Sequence, residues 1–266
     1  MIKKDLGTFL GAYSKHDFVS EVQSDWISTG LKNLNFILSD NYNGGIPKER
    51  IIDIFGDPGT GKSALCGSIA REFIKQWPNG RILWDDAEGA LSSLFMEQYF
   101  SGLTGGLLVD RSKTLRDLYE NIKLLYSASQ EYLACGIPIL YVVDSLPVLP
   151  LGLTGGEEND IYRASYIKTI YQTIEKLVSS HMLDLTFICI NHSKTEYDKM
   201  CVLGVVGSDL CSHLRLNLSL VEQTDEYIDT EVFVVKNNFA LPNRTSRFRI
   251  DFDRGIYELQ QDDGKN

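Results

Sequence analysis

The sequence is short of three things that would otherwise set its class. It has only five cysteines in 266 residues, an odd number with no C-x-x-C spacing. Cys66, Cys135, Cys189, Cys201 and Cys211 lie mostly within apolar stretches, which suits buried free thiols better than a disulfide framework or a zinc site. It also lacks long apolar runs. ILYVV at 139–143 stops at Asp144, far short of the roughly 20 residues that span a bilayer. Finally, it has no surplus of basic charge: 26 Lys and Arg stand against 36 Asp and Glu, a formal net charge of −10. A protein that coats duplex DNA by charge alone is ordinarily basic, so any nucleic-acid site must be a local patch. The N-terminal MIKKDLGTFLGAY carries lysines with no sustained apolar segment behind them, which is not a signal peptide, and the expected compartment is the cytoplasm. His181 and His213 stand without metal-ligand spacing.

What is present is a phosphate cradle. Residues 53–65 read DIFGDPGTGKSAL, matching G-x-x-x-x-G-K-[ST] with Gly56, Gly61, Lys62 and Ser63 in the fixed places. The apolar RIIDIF before it predicts a strand. Ala64, Leu65, Ile69, Phe73 and Ile74 after it fall on one helical stripe. A strand–turn–helix is what this chemistry needs, because the turn's backbone N–H groups and the helix N-terminus both point at anionic oxygens. Gly56, Asp57, Pro58, Gly59, Thr60, Gly61, Lys62, Ser63 and Ala64 are therefore the expected nucleotide-binding residues. Lys62 would reach the β- and γ-phosphates, and the Ser63 hydroxyl would hold Mg²⁺. Hydrolysis needs further carboxylates. Asp144 ends the apolar ILYVVD, where a second Mg²⁺ holder belongs, and Ser145 follows it. Asp85, Asp86 and Glu88 end RILWDDAE. In a parallel sheet both acid sets would lie beyond the carboxyl ends of the strands, facing the cradle.

Strand and helix patterns alternate from the cradle to about residue 213. Helical stretches are expected around SSLFMEQYF, over TLRDLYENIKLLYSASQEYLA with apolar residues at 115, 118, 122, 125 and 126, and over IYRASYIKTIYQTIEKLVSS. PILYVVDS and LTFICIN read as strands covered on both faces. The fold class is α/β, a mostly parallel twisted sheet flanked by helices. From about residue 214 only strands follow, LRLNLSLVE, TEVFVVKNN, SRFRIDF and GIYEL, expected as antiparallel additions at one sheet edge. The expected division is an N-terminal segment over 1–24, a core over 25–260 and a frayed tail over 261–266.

Five ordered segments resemble the RecA/RadA recombinase core. WISTGLKNLNFILSDNYNGGIPKERIIDIFGDPGTGKSAL is similar to its opening, DDAEGAL to its D-A-E-x-A-L segment, and VVDSL to its Walker-B strand. FICINHS resembles the strand that ends in a γ-phosphate-sensing polar residue, and VVKNNFALP resembles V-K-N-x-x-A-x-P. The resemblance implies a RecA-like P-loop NTPase core that uses ATP and Mg²⁺. Glu88 would activate the attacking water, and Asn191 and His192 would stand at the γ-phosphate. Asp144 would share the Mg²⁺ with Ser63, Phe95 would stack on the base, and Lys236 would reach a neighbouring subunit's nucleotide. Histidine stands at 192 where bacterial members usually have glutamine, and Asn238 replaces a second lysine.

The resemblance also implies two DNA-facing loops. LGLTGGEENDIYR would lead to Arg163 and Lys168. SKTEYDKMCVLGVVGSD would carry Lys194 and Lys199 and the backbone N–H groups of Gly204 and Gly207. Acids share both loops, so solvated loops that happen to carry cations are the alternative. Phe9 and Ala12 fit the F-x-x-A peptide with which related recombinases dock on the adjacent subunit, the alternative being an amphipathic helix packed on its own core. The implied partners are single-stranded DNA, homologous duplex DNA, further copies in a head-to-tail filament, and loader or single-strand-binding proteins. The implied activity is a DNA-dependent ATPase that promotes strand exchange, as a minimal or virus-encoded member would. An annealing factor or motor on the same core, or a regulatory paralogue that binds ATP and hydrolyses little, is the alternative reading.

Overall fold

Strand β1 (Trp26–Ile27) pairs antiparallel with β2 (Ile46–Pro47) around helix α1 (Lys32–Ser39). The turn before β2 requires Gly45, where φ is 141° and a Cβ would lie 2.0 Å from the Ile27 carbonyl oxygen. This ribbon clasps helix α2 (Lys62–Gln76), which follows the cradle. Ser68 Oγ donates to Thr29 O at 2.8 Å, Gln76 Nε2 donates to Trp26 O at 3.2 Å, and Ser28 N–H donates to Gln76 Oε1 at 2.9 Å. The S-T-G and G-G-I-P segments thus have a physical task, which is to seat the phosphate-binding helix. The computed structural model describes residues 25–103, 106–132, 136–152, 160–180, 183–196, 199–202 and 208–259.

β3 (Ile51–Gly56) is buried along its whole length. It lies between two parallel neighbours, β7 (Leu185–Glu196) and β9 (Leu214–Gln223). Beyond β7 come β6 (Ile139–Asp144), β4 (Arg81–Asp86) and β5 (Leu107–Asp110), all parallel. Beyond β9 come β10 (Tyr227–Asn237), β11 (Thr245–Asp251) and β12 (Gly255–Glu258), each antiparallel to its neighbour. The antiparallel additions therefore begin at β10 and not at residue 214. β8 (Lys199–Val202) turns the chain back along β7, so Leu214 starts level with Ile52 and β9 runs the same way as β3.

Helices cover both faces. On one, α1, α2 and α3 (Ser93–Phe100) pack over a core that includes Leu65, Ile69, Phe73, Trp84 and Phe100. On the other, α4 (Leu115–Tyr132) and α5 (Asp160–Ser179) bury Leu115, Leu118, Ile122, Ile167, Ile170 and Ile174. Each such side chain contributes about 1.5–3 kcal/mol on burial, more than the spread of helix propensities, so packing on the sheet decides where these helices form. Tyr126, expected in the α4 stripe, is instead exposed. Among the described residues no helix is long and apolar enough to cross a membrane.

The second expected loop is another departure. Ser193–Glu196 continue β7 and pair with Lys199–Val202, in the register Ser193↔Val202, Lys194↔Cys201, Thr195↔Met200 and Glu196↔Lys199. Polar residues led the sequence reading to end the strand at Asn191. A returning strand instead satisfies the backbone donors and acceptors that a loop would leave to water.

Candidate nucleotide-hydrolysis site

The cradle runs from the end of β3 into α2 at the carboxyl edge of the parallel strands. Gly61 stands immediately before α2 with φ at 80°, a left-handed conformation that glycine adopts without strain, and a Cβ there would lie 2.2 Å from Ile250 Cδ1. Lys62 is buried and folds back on the turn, its Nζ donating to Gly56 O at 3.0 Å and Asp57 O at 2.7 Å. Burial holds its pKa below the ordinary lysine value, with Glu88, Asp144 and Asp57 opposing that shift.

Next to it Ser63 stands beside Asp144 at the end of β6. Burial pushes the Asp144 carboxyl up to about 6. The charges of Glu88 and Asp86 add to the rise, while Ser63 and Lys62 work against it. A buried carboxylate with a hydroxyl at its side is a pair of hard oxygen donors, the kind of set that supplements phosphate oxygens around Mg²⁺. Lys62, engaged by two loop carbonyls, carries the charge that suits phosphate. The residues present thus fit a nucleoside triphosphate with Mg²⁺, Ser63 and Asp144 on the cation and Gly56 to Ala64 around the phosphates.

The three acids after RILW separate. Asp85 is turned away from the cradle, accepting from the Ser112 backbone N–H at 2.8 Å and from the Ser112 hydroxyl. Asp86 accepts from Ala90 N–H at 2.9 Å and Leu91 N–H at 3.3 Å, closing the turn in which Glu88 lies. Asp86 acts on Asp144 through its charge alone, while Glu88 makes the side-chain contacts at the site. Its backbone N–H donates to Asp144 O at 3.1 Å, and its Oε1 accepts from the Ser145 hydroxyl and from His192 Nε2 at 3.1 Å. The expectation that both acid sets face the cradle is corrected for Asp85 alone. Consecutive strand residues point to opposite faces, which parts Asp85 from Asp86, and the turn after the strand brings Glu88 to Ser145 and His192.

The same alternation divides Asn191 from His192. Asn191 is fully buried and donates to Asp53, which also accepts from Arg215 Nε at 3.0 Å. It therefore belongs to a network beneath the cradle and not to the phosphate edge. Phe95 is half-buried in an aromatic cluster, its ring centroid 4.7 Å from Tyr99 and 5.7 Å from Trp84, between α2 and α3.

Lys236 lies at the other end of the sheet. β10 meets the cradle at Thr230, whose hydroxyl donates to Thr60 O at 3.1 Å. Lys236 is six residues farther along, opposite Arg215, or about 20 Å at strand rise. Arg163 donates to Leu149 O and, at 2.9 Å, to Pro147 O, tying α5 to the segment after β6, while Lys168 is exposed on the same helix. Lys194 and Lys199 sit on the two strands of the β7–β8 ribbon. Gly204 and Gly207, like Phe9 and Ala12, lie outside the described residues.

Two functional contacts carry no sequence motif. Ser145 lies within the Walker-B-like VVDSL, but nothing in that segment signals its contact with Glu88. The Ser193 hydroxyl donates to Asp57 of the cradle across 136 positions of sequence, and nothing local signals it.

No family model matches the chain. It is 28% identical over 235 residues to the mitochondrial DNA repair protein recA homolog 3 of Arabidopsis thaliana, covering 82% of this chain and 52% of that protein. To the RecA protein of Allochromatium vinosum it is 29% identical over 242 residues, covering 86% and 66%. To the RecA protein of Helicobacter hepaticus it is 29% identical over 245 residues, covering 87% and 67%. The chain spans about half to two thirds of the length of the curated relatives it matches.

Proposed function

Proceeding from the chain's kinship with the RecA family, we propose that it is an ATP-dependent recombinase core that assembles head to tail on single-stranded DNA and promotes homologous pairing and strand exchange. The observation that carries this reading is the convergence of Lys62, Ser63, Asp144 and Glu88 at one edge of the sheet. Phosphoryl transfer asks mainly for positioning and charge. ATP is the source of the γ-phosphoryl group. Lys62 would exchange Gly56 O and Asp57 O for phosphate oxygens, and Ser63 and Asp144 would hold Mg²⁺, which would supply positive charge there. Both hydrogen bonds to Glu88 fall on Oε1, which leaves Oε2 to orient and deprotonate water. His192 touches the same carboxylate and continues directly into the β7–β8 ribbon with its two lysines, a short covalent path between phosphate and DNA.

The distance of Lys236 from its own cradle supports a role in a neighbour's site. Neither Lys236→Ala nor Glu88→Gln protein alone is then expected to hydrolyse ATP efficiently. Mixing the two recovers turnover, because some interfaces combine an intact Glu88 with an intact Lys236. If the mixture stays as slow as its parts, Lys236 does not act across the interface.

The direct test is ATPase activity with and without single-stranded DNA, followed by joint-molecule formation with homologous duplex. The expected result is stimulation by the single strand together with joint molecules. Stimulated hydrolysis without joint molecules would replace strand exchange with annealing or motor activity. ATP binding without hydrolysis in either condition would leave the regulatory reading.

A further inference from the structure

We propose that Ser145 is a positioning residue for hydrolysis, fixing the Glu88 carboxylate so that one oxygen is committed to the protein and the other is presented to water. This rests on the reading of Glu88 as the group that orients and deprotonates that water. Asp86 pairs with Asp144 in register, so β4 and β6 end level and the residues just beyond them meet. The backbone is joined there by Glu88 N–H donating to Asp144 O at 3.1 Å. The side chain is then fixed by the Ser145 hydroxyl, which is fully buried and donates to Glu88 Oε1. His192 Nε2 lies 3.1 Å from the same oxygen and 3.4 Å from Ser145 Oγ, so the three groups form one cluster.

Two features separate this from ordinary polar packing. A buried hydroxyl must find a partner, and one away from the site would satisfy it equally well. Ser145 instead bonds a carboxylate whose side chain is still a third exposed and therefore open to water. The two contacts also share one oxygen. A carboxylate bonded through both oxygens would leave neither wholly to water, and one held at neither would rotate about its last torsion and spend little time aligned. Ser145 follows directly on Asp144, so the strand that holds the cation also sets the direction of the base.

The test compares steady-state hydrolysis and nucleotide affinity in Ser145→Ala, Ser145→Cys and Glu88→Gln proteins and in the Ser145→Ala, Glu88→Gln double variant. Outer partners of a reacting group commonly contribute 10- to 100-fold, so Ser145→Ala should lose about tenfold in kcat. KM and the affinity for a non-hydrolysable ATP analogue should stay within about twofold, because Ser145 does not touch the nucleotide. Cysteine keeps a weak donor of similar shape and should fall between serine and alanine. The double variant should be no slower than Glu88→Gln alone, since a positioned group that is absent cannot be mispositioned. Wild-type kcat in Ser145→Ala alongside a crippled Glu88→Gln would overturn the proposal and leave Glu88 in its role. Multiplicative losses in the double variant would equally overturn it, because Ser145 would then act apart from Glu88. Wild-type kcat in Glu88→Gln would remove the reading on which the proposal rests. Should the alanine variant fail to fold, the cysteine variant and its double with Glu88→Gln carry the same comparison.

Discussion

Glu88→Gln protein is expected to bind ATP with near wild-type affinity and to hydrolyse it at least about 100-fold more slowly, the lower end of what a positioned base contributes. Glutamine keeps the length and planarity of glutamate, and its amide oxygen still accepts from Ser145. What disappears is the negative charge and the capacity to take a proton from water. Binding is expected to be spared because the proposed holders of phosphate and cation, the Gly56–Ala64 cradle with Ser63 and Asp144, are not the side-chain hydrogen-bond partners of Glu88, which are Ser145 and His192. The informative control is Asp85→Asn, two strand-end acids away in type but bonded to Ser112 on the other side of the strand. That change should lower stability and leave kcat per folded molecule close to wild type. Single-turnover hydrolysis at saturating ATP, with nucleotide affinity measured separately, distinguishes these outcomes. Wild-type turnover in Glu88→Gln, or a comparable kcat loss in Asp85→Asn, would show that the wrong acid has been assigned.

That contrast marks where the sequence was legible. The cradle could be read because its chemistry is written in consecutive residues, and Asp144 because it interrupts a strand of otherwise unbroken apolar character. The sheet could be read because strands covered on both faces leave nearly continuous apolar runs. Which of Asp85, Asp86 and Glu88 makes side-chain contacts at the site could not be read from strand pattern, and only the resemblance singles out Glu88, since the outcome depends on the strand's pleat and on the turn that Asp86 itself closes. Asn191 was expected at the phosphate for the same reason, being one residue and one face away from His192. The β7–β8 ribbon was hidden because its pairing offsets the polar character of its residues. The contacts of Ser145 with Glu88 and of Ser193 with Asp57 join chain positions far apart, and only the completed sheet brings them together.

The network that claimed Asn191 leads to the largest expected change in stability. Asp53 is fully buried in the central strand, three residues before the cradle begins. Arg215 from β9 donates to one of its oxygens at 3.0 Å and lies over the Phe55 ring at 5.0 Å, while Asn191 from β7 donates to the other oxygen. One carboxylate thus links three adjacent strands directly beneath the phosphate turn. Such a pair adds little over apolar residues of the same shape, but removing one partner strands the other charge in a low-dielectric interior, at a cost of about 3–5 kcal/mol. Arg215→Ala should therefore lower the thermal midpoint by about 6–20 °C, at roughly 2–4 °C per kcal/mol for a chain of this size. Adding Asp53→Asn should recover much of that loss, because the amide can still meet Asn191 and no longer carries a charge to be desolvated. The comparison of the two midpoints separates charge from packing, since the lost Arg215 stem and its contact with Phe55 are absent from both proteins. Equal midpoints for the single and double variants would assign the loss to packing, and an Arg215→Ala protein that melts with the wild type would show that Asp53 does not depend on its cation.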